Sequence, residues 1–359
     1  MHAASLGEFE QGLPVIEKLK VHYPSHKILI TFFSPSGYEV KKNTKAADVV
    51  VYLPIDTFAN AKKFIAITRP ELAIFVKYEL WPNYLRVLQA HSTPTLLVSA
   101  IFNKKQIYFK WYGGFMRKAL GTFSQIFVQD STSVALLNNI GYKQVLKSGD
   151  TRFDRVSKIL RQNNRLDFMD KFVNDHKCLV AGSTWPQDEE ILVDYINGSE
   201  LQLKYVLAPH NIKNEHIETL RKSISKKVLL YSEIREQDLT SVDVMIIDTI
   251  GLLTKIYSYA NLAYVGGAFA TGLHNTLEPA VFGIPVLIGP EYEKFNEAKQ
   301  LVENGGILVV QNSDSFTSIL SHLIENPELL RKTGEVNSAY IEENKGASIQ
   351  IVEHIRRLL

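Results

Sequence analysis

The sequence predicts two doubly wound α/β domains, each built on a parallel sheet. Three observations carry this. Short, β-branched, continuously apolar runs alternate with helix-length amphipathic segments, the pattern of strands buried on both faces. A length of 359 residues suits two domains. The strand signal also stops near residues 150–176 and then restarts.

In chain order, the first half gives strands at 27–33 (KILITFF), 49–53 (VVVYL), 72–76 (LAIFV), 95–99 (TLLVS) and 125–128 (QIFV). The second half gives them at 178–181, 205–208, 228–231, 244–247, 262–265, 285–288 and 307–310. Helical periodicity falls between most of them, at 8–23, 56–69, 81–90, 131–140, 189–197, 215–225 and 251–259. The polar stretch 157–176 reads as the junction, so the domains are expected at 1–155 and 156–359. From residue 315 the pattern is helical, and the last helix is free to pack back on the first domain. No strand signal precedes the 5–8 loop, so a first strand and residues upstream of Met1 are expected to be missing. In open parallel sheets ligands sit beyond the carboxyl ends of strands, and function is expected in those loops, across a cleft between two facing domains.

Composition narrows the class. With 45% hydrophobic and 22% charged residues, disorder, collagen and coiled coil do not fit as the main state. The single cysteine, Cys178, excludes an internal disulfide and points to a reducing compartment. No run approaches the ~18 apolar residues of a membrane-spanning helix, and no secretory signal is visible. Residues 1–150 carry a net charge of +8 and the remainder −6. That asymmetry points to an anionic partner for the first half, or to chance clustering on a solvated surface.

The unusual residues cluster after strands. Gly266-Gly267 ends the 262–265 run, and Gly272, His274, Asn275, Thr276, Glu278 and Pro279 follow, with Gly283-Ile284-Pro285 beyond. Glycines permit close backbone approach, a helix opening near Asn275 or Thr276 suits a phosphate, and Glu278 can accept from two ribose hydroxyls. A Gly-rich turn with Glu278 complementing a helix dipole is the structural alternative. Ser5-Leu6-Gly7-Glu8 opens an amphipathic helix. Glu8 is either the far half of a capping box on Ser5 or a general base toward a hydroxyl acceptor.

Glu79, in Lys77–Asn83, is either cap or site. Ser183 and Thr184, after the 178–181 run, read as a phosphate- or sugar-facing loop. Pro209-His210 ends the next run, with His210 placed to stack on or hydrogen-bond a base. No His or carboxylate pair has metal spacing. Residues 104–118 (KKQIYFKWYGGFMRK) hold five cations, among them Lys104, Lys105, Lys110, Arg117 and Lys118, no acid and five aromatics including Trp111. They read as a membrane or lipid interface, with single-stranded nucleic acid ranked below for want of an RNA-binding motif. A core-facing helix is the structural alternative.

Together, H-A-A-S-L-G-E, E-L-W-P-N, G-S-T-W, H-N-x-L-E-P-A and G-I-P-V resemble the 3-deoxy-D-manno-octulosonic acid (Kdo) transferases of lipopolysaccharide synthesis, along essentially the whole chain. The resemblance implies a GT-B fold, with an acceptor-binding first domain and a CMP-Kdo-binding second one. It implies inverting, metal-independent and cofactor-free transfer of Kdo from CMP-Kdo to a lipid A precursor of lipid IVA type. It also implies a place on the cytoplasmic face of the inner membrane, here peripheral because the family's N-terminal anchor is not in the sequence. Glu8 corresponds to the base of the family's S-x-G-E motif, and His274, Asn275 and Glu278 to the loop serving CMP. Lys77, His210 and Leu273 depart from the family pattern: an acidic residue, a Pro-Arg-His and a second glycine are usual there. The readings left open beside this one are another GT-B transferase or epimerase using a UDP- or ADP-sugar, and a non-catalytic lipid-surface protein retaining the fold.

Overall fold

The computed structural model describes every residue except Glu236 and Thr271. The chain forms two compact units, Met1–Arg155 with Asn344–Leu359, and Val156–Glu343.

The first unit contains β1 (Leu29–Phe32), β2 (Val49–Tyr52), β3 (Ala73–Val76), β4 (Thr95–Ala100), β5 (Gln125–Val128) and β6 (Val145–Lys147). β1 pairs with β2, and β3 to β6 form a second ladder, all parallel. Residues 1–3 join the two ladders. His2 bridges Thr31 of β1 and Phe75 of β3, with Ala3 N–H on Thr31 O at 3.0 Å and His2 N–H on Ile74 O at 2.8 Å. Residues 1–3 thus lead into the Ser5–Glu8 loop from between β1 and β3. A cavity of about 560 Å³ borders them, lined in part by Ile28, Leu29, Leu72 and Ala73.

β6 escaped the sequence reading. It is a three-residue edge strand with two exposed positions, too short and too polar for a continuous apolar run. The core beneath the sheet joins Phe9, Val15 and Leu19 of the helix Leu6–His22 to Ile351, Val352 and Ile355 of the helix Ala347–Ile355. The last helix therefore belongs to the first unit.

The second unit contains β7 (Lys177–Thr184), β8 (Leu203–Pro209), β9 (Val228–Leu230), β10 (Val244–Ile246), β11 (Leu262–Val265), β12 (Val286–Ile288) and β13 (Ile307–Val309). All are parallel, in the order β13-β12-β11-β7-β8-β10-β9. Strand order reverses between β7 and β11. Loops leaving these neighbours turn to opposite faces, and the crevice at their carboxyl ends is the expected ligand position. Tyr205, Tyr264 and Phe316 are fully buried in this core.

Candidate functional site

In the first unit the chain leaves the His2 position at its carboxyl end and enters the helix Leu6–His22, whose third residue is Glu8. Ser5 is extended at the N-cap, but its hydroxyl makes no cap bond. Glu8 caps instead: its Oε2 accepts the Ala4 N–H at 2.5 Å. A carboxylate offers about four lone-pair sites, so capping and proton abstraction are compatible. Glu8 is 8% exposed. Burial first, and the charge of Glu79 second, push its carboxyl up to about 7, against the opposing pull of the Ala4 N–H and Lys77.

Glu79 comes from the loop after β3. Lys77 there has φ 69°, a left-handed conformation that costs a side-chain-bearing residue about 1–3 kcal/mol and that clusters at functional sites. Pro82 then starts the helix Pro82–Ala90. Trp81 Nε1 donates to Glu79 Oε2 at 2.8 Å, and His2 Nε2 lies 3.5 Å from the same oxygen. The other ring nitrogen of His2 is 2.9 Å from Thr31 Oγ1. Burial holds the His2 imidazole below its usual pKa. Gly7 beside them faces open space: a Cβ there would meet nothing within 4 Å.

In the second unit the loops after β7, β8 and β11 converge. β7 ends in a bulge at Ser183, φ 55°, before the helix Pro186–Gly198. Asp188 of that helix is fully buried and accepts three hydrogen bonds, from Trp185 N–H (2.9 Å), Gly267 N–H (2.9 Å) and Tyr264 Oη (2.7 Å). This carboxylate fastens the β7 and β11 loops together. Gly266 owes its missing side chain to the same packing, since a Cβ would sit 2.5 Å from Ser183 O. Gly267 has φ 98°. Gly266 admits the protein's own β7 loop, and Gly267 admits the Gly272 carbonyl and the His274 ring of its own loop; sequence reasoning assigned both to a ligand. The Gly267 N–H is likewise spent on Asp188.

Thr184, read as substrate-facing, is 1% exposed and donates to Glu189 Oε1 at 2.9 Å, with His216 Nε2 3.0 Å from Glu189 Oε2. Pro209 closes β8. The His210 ring stacks on Trp185 (4.7 Å, 20°) and leans on His274 (4.7 Å, 32°). Glu278 is held at both oxygens, by Thr254 Oγ1 (2.9 Å) and Asn275 Nδ2 (3.1 Å). The helix after Thr276 is only Leu277–Ala280, so its dipole supplies little anion binding. Asn275 and Thr276 keep backbone N–H groups with no partner among the described residues. Among those residues, no three His, Cys, Asp or Glu side chains gather as a metal site requires.

The 104–118 segment divides. Tyr108 is buried and Phe109 packs inward, whereas Trp111 is 90% exposed, Phe115 70% and Tyr112 60%. Lys104, Lys105 and Lys118 are exposed, and Lys110 is half-buried. Arg117 faces inward instead: its Nη1 donates to Tyr108 O (3.0 Å) and Lys110 O (2.7 Å), which uses its guanidinium as a brace for the turn. No helix among the described residues is long and apolar enough to cross a membrane.

Residues 1–155 match the family model described as 3-deoxy-D-manno-octulosonic-acid transferase (kdotransferase). The chain is 29% identical to the 3-deoxy-D-manno-octulosonic acid transferase of Aquifex aeolicus, over 96% of this chain and 91% of that one. It is 26% identical to the enzyme of the same name from Rickettsia typhi, over 100% of this chain and 77% of that one. Along its whole length the chain is thus similar to the Kdo transferases. Its fold is similar to that of UDP-GlcNAc 2-epimerase from Neisseria meningitidis, with a TM-score of 0.70 at 16% identity, covering 99% of this chain and 98% of that one. This is the GT-B architecture, and the chain is a glycosyltransferase similar to the Kdo transferases.

Sequence reasoning named one cluster at each sheet and gave no role to the residues that hold them. Glu8 and Glu79 come together in the first unit. In the second, Ser183 lies at the end of β7, His210 follows β8, and Gly266, His274, Asn275 and Glu278 follow β11. His2, Trp81 and Trp185 entered only as members of quoted motifs, and Asp188, Glu189 and Thr254 were given no role. Asp188 had a signal: an acid three residues after a tryptophan that leads into a proline-started helix is a capping pattern. Thr254 had none, because its partner Glu278 is 24 residues away.

Proposed function

We propose that the chain transfers Kdo from CMP-Kdo to a hydroxyl of a lipid A precursor of lipid IVA type in lipopolysaccharide synthesis, with inversion, and with neither metal nor cofactor. The observation that carries this is the buried Glu8 carboxyl, pushed up to about 7 at the carboxyl end of the first unit's strands. Such a group is half ionised near neutral pH, where a general base works best.

Glu8 removes the proton from the acceptor hydroxyl. The oxygen attacks the anomeric carbon of Kdo from the face opposite the phosphate, and the bond to the phosphate oxygen breaks. CMP leaves with the bonding electron pair. A nucleotide phosphate is a good leaving group, so hydrogen-bond donors suffice to stabilise it. In the second unit, the Asn275 and Thr276 N–H groups and the rings of His210 and His274 receive the nucleotide, with Ser183 and Pro209 lining the same loops. Glu278, fixed by Thr254 and Asn275, accepts the ribose hydroxyls. In the first unit, Ser5, Gly7 and Glu79 border the acceptor.

The acceptor is an acylated, phosphorylated glycolipid at the cytoplasmic face of the inner membrane. Exposed Trp111, Tyr112 and Phe115 beside Lys104, Lys105 and Lys118 suit that surface, with rings at the acyl boundary and cations on phosphates. Nucleic acid is not a partner in this reading.

Thermal shift against CMP, UDP and ADP tests the donor class. Kdo transfer requires stabilisation by CMP, and a shift confined to UDP or ADP would replace it with another sugar nucleotide.

A further inference from the structure

Trp185 follows β7 directly, and its indole N–H donates to His274 Nε2 at 3.0 Å. An indole nitrogen is a donor only. His274 Nε2 is therefore the accepting, unprotonated nitrogen, and a neutral imidazole in that state keeps its one hydrogen on Nδ1. Burial, then the neighbouring His210, hold His274 below its usual pKa, while Asp188 pulls the other way. The ring is thus neutral at physiological pH. The indole that sets the tautomer is itself fixed, with His210 stacked on it and its backbone N–H on Asp188.

The loop needs a side-chain donor. Gly267 N–H is bonded to Asp188, His274 N–H to Gly266 O at 3.2 Å, and the following helix has four residues. His274 Nδ1 has no partner among the described residues. In the opposite tautomer it would meet an anion with a lone pair.

We propose that Trp185 is a positioning residue that fixes His274 in its Nδ1–H tautomer, so that the ring meets the phosphate of the donor nucleotide as a neutral hydrogen-bond donor. The identity of that nucleotide rests on the Kdo-transfer proposal; the tautomer does not.

Nitrogen-15 NMR of the imidazoles in the full chain tests it, with His274 signals assigned by their loss in His274→Gln. The expected spectrum at neutral pH has a protonated Nδ1 and a bare Nε2. Trp185→Phe keeps an aromatic face for His210 but removes the N–H. It should shift His274 toward Nε2–H and weaken CMP binding about tenfold or more, the loss of one hydrogen bond to a charged group. A wild-type ring protonated on Nε2, or a tautomer that Trp185→Phe leaves unchanged, overturns the proposal. If the Phe variant does not fold, the wild-type spectrum decides alone. An Nδ1–H ring in a protein that ignores CMP but binds UDP or ADP would keep the role of Trp185 and reject the donor.

Discussion

At Glu8, burial and the charge of Glu79 act against ionisation, while Ala4 N–H and Lys77 favour it, and the balance lies near neutrality. A base must be ionised, so turnover should rise as pH climbs through about 7. Glu79→Gln removes the like charge and keeps an acceptor for Trp81. Its acid limb should therefore move to lower pH, read from kcat/KM between pH 5 and 8. Glu8→Gln should lower turnover roughly 10²–10⁴-fold while CMP affinity stays nearly unchanged, measured by transfer assay and calorimetry. Near-wild-type turnover in that variant would remove Glu8 from the chemistry. Sequence alone left Glu8 between cap and base, because helix-start spacing is the same for both. The neighbours that tip it, Lys77 and Glu79, arrive together on the loop after β3, far along the chain from Glu8.

Between elements, buried polar side chains do the fastening. Asn337, on the helix Pro327–Asn344, is fully buried and donates to Ile284 O (2.7 Å) and Gly306 O (2.8 Å), the approaches to β12 and β13. Asn337→Ala strands both carbonyls and should destabilise the second unit by about 2–4 kcal/mol, checked by urea unfolding. The strands themselves were legible, since parallel strands buried on both faces read as apolar runs that need no partner to be recognised. Short edge strands such as β6 and long-range clamps such as Asp188 to Gly267 were not. An edge strand lacks the apolar run, and a clamp's two ends carry no common local signal. The bulge at Ser183 and the left-handed Lys77 were equally invisible, because neither position holds the glycine that would announce a positive φ.

At the scale of the molecule, the 104–118 segment contributes five cations and no acid to the first half's positive excess. Lys104→Glu with Lys105→Glu should weaken binding to vesicles containing anionic lipid, and more so at low salt than at high. Trp111→Ala should weaken it at every salt concentration, because the ring contributes buried apolar area. Co-sedimentation with the two variants separates these effects, and unchanged binding in both would reject the surface. Composition and patterning announced this segment but could not tell Arg117 from its lysine neighbours, since only the fold turns that guanidinium onto backbone carbonyls. Kdo transfer itself is tested most directly by mass spectrometry of lipid IVA after incubation with CMP-Kdo and the chain. The expected product carries added Kdo and disappears with Glu8→Gln. An unmodified acceptor from folded, CMP-binding protein offered lipid IVA in vesicles would contradict it.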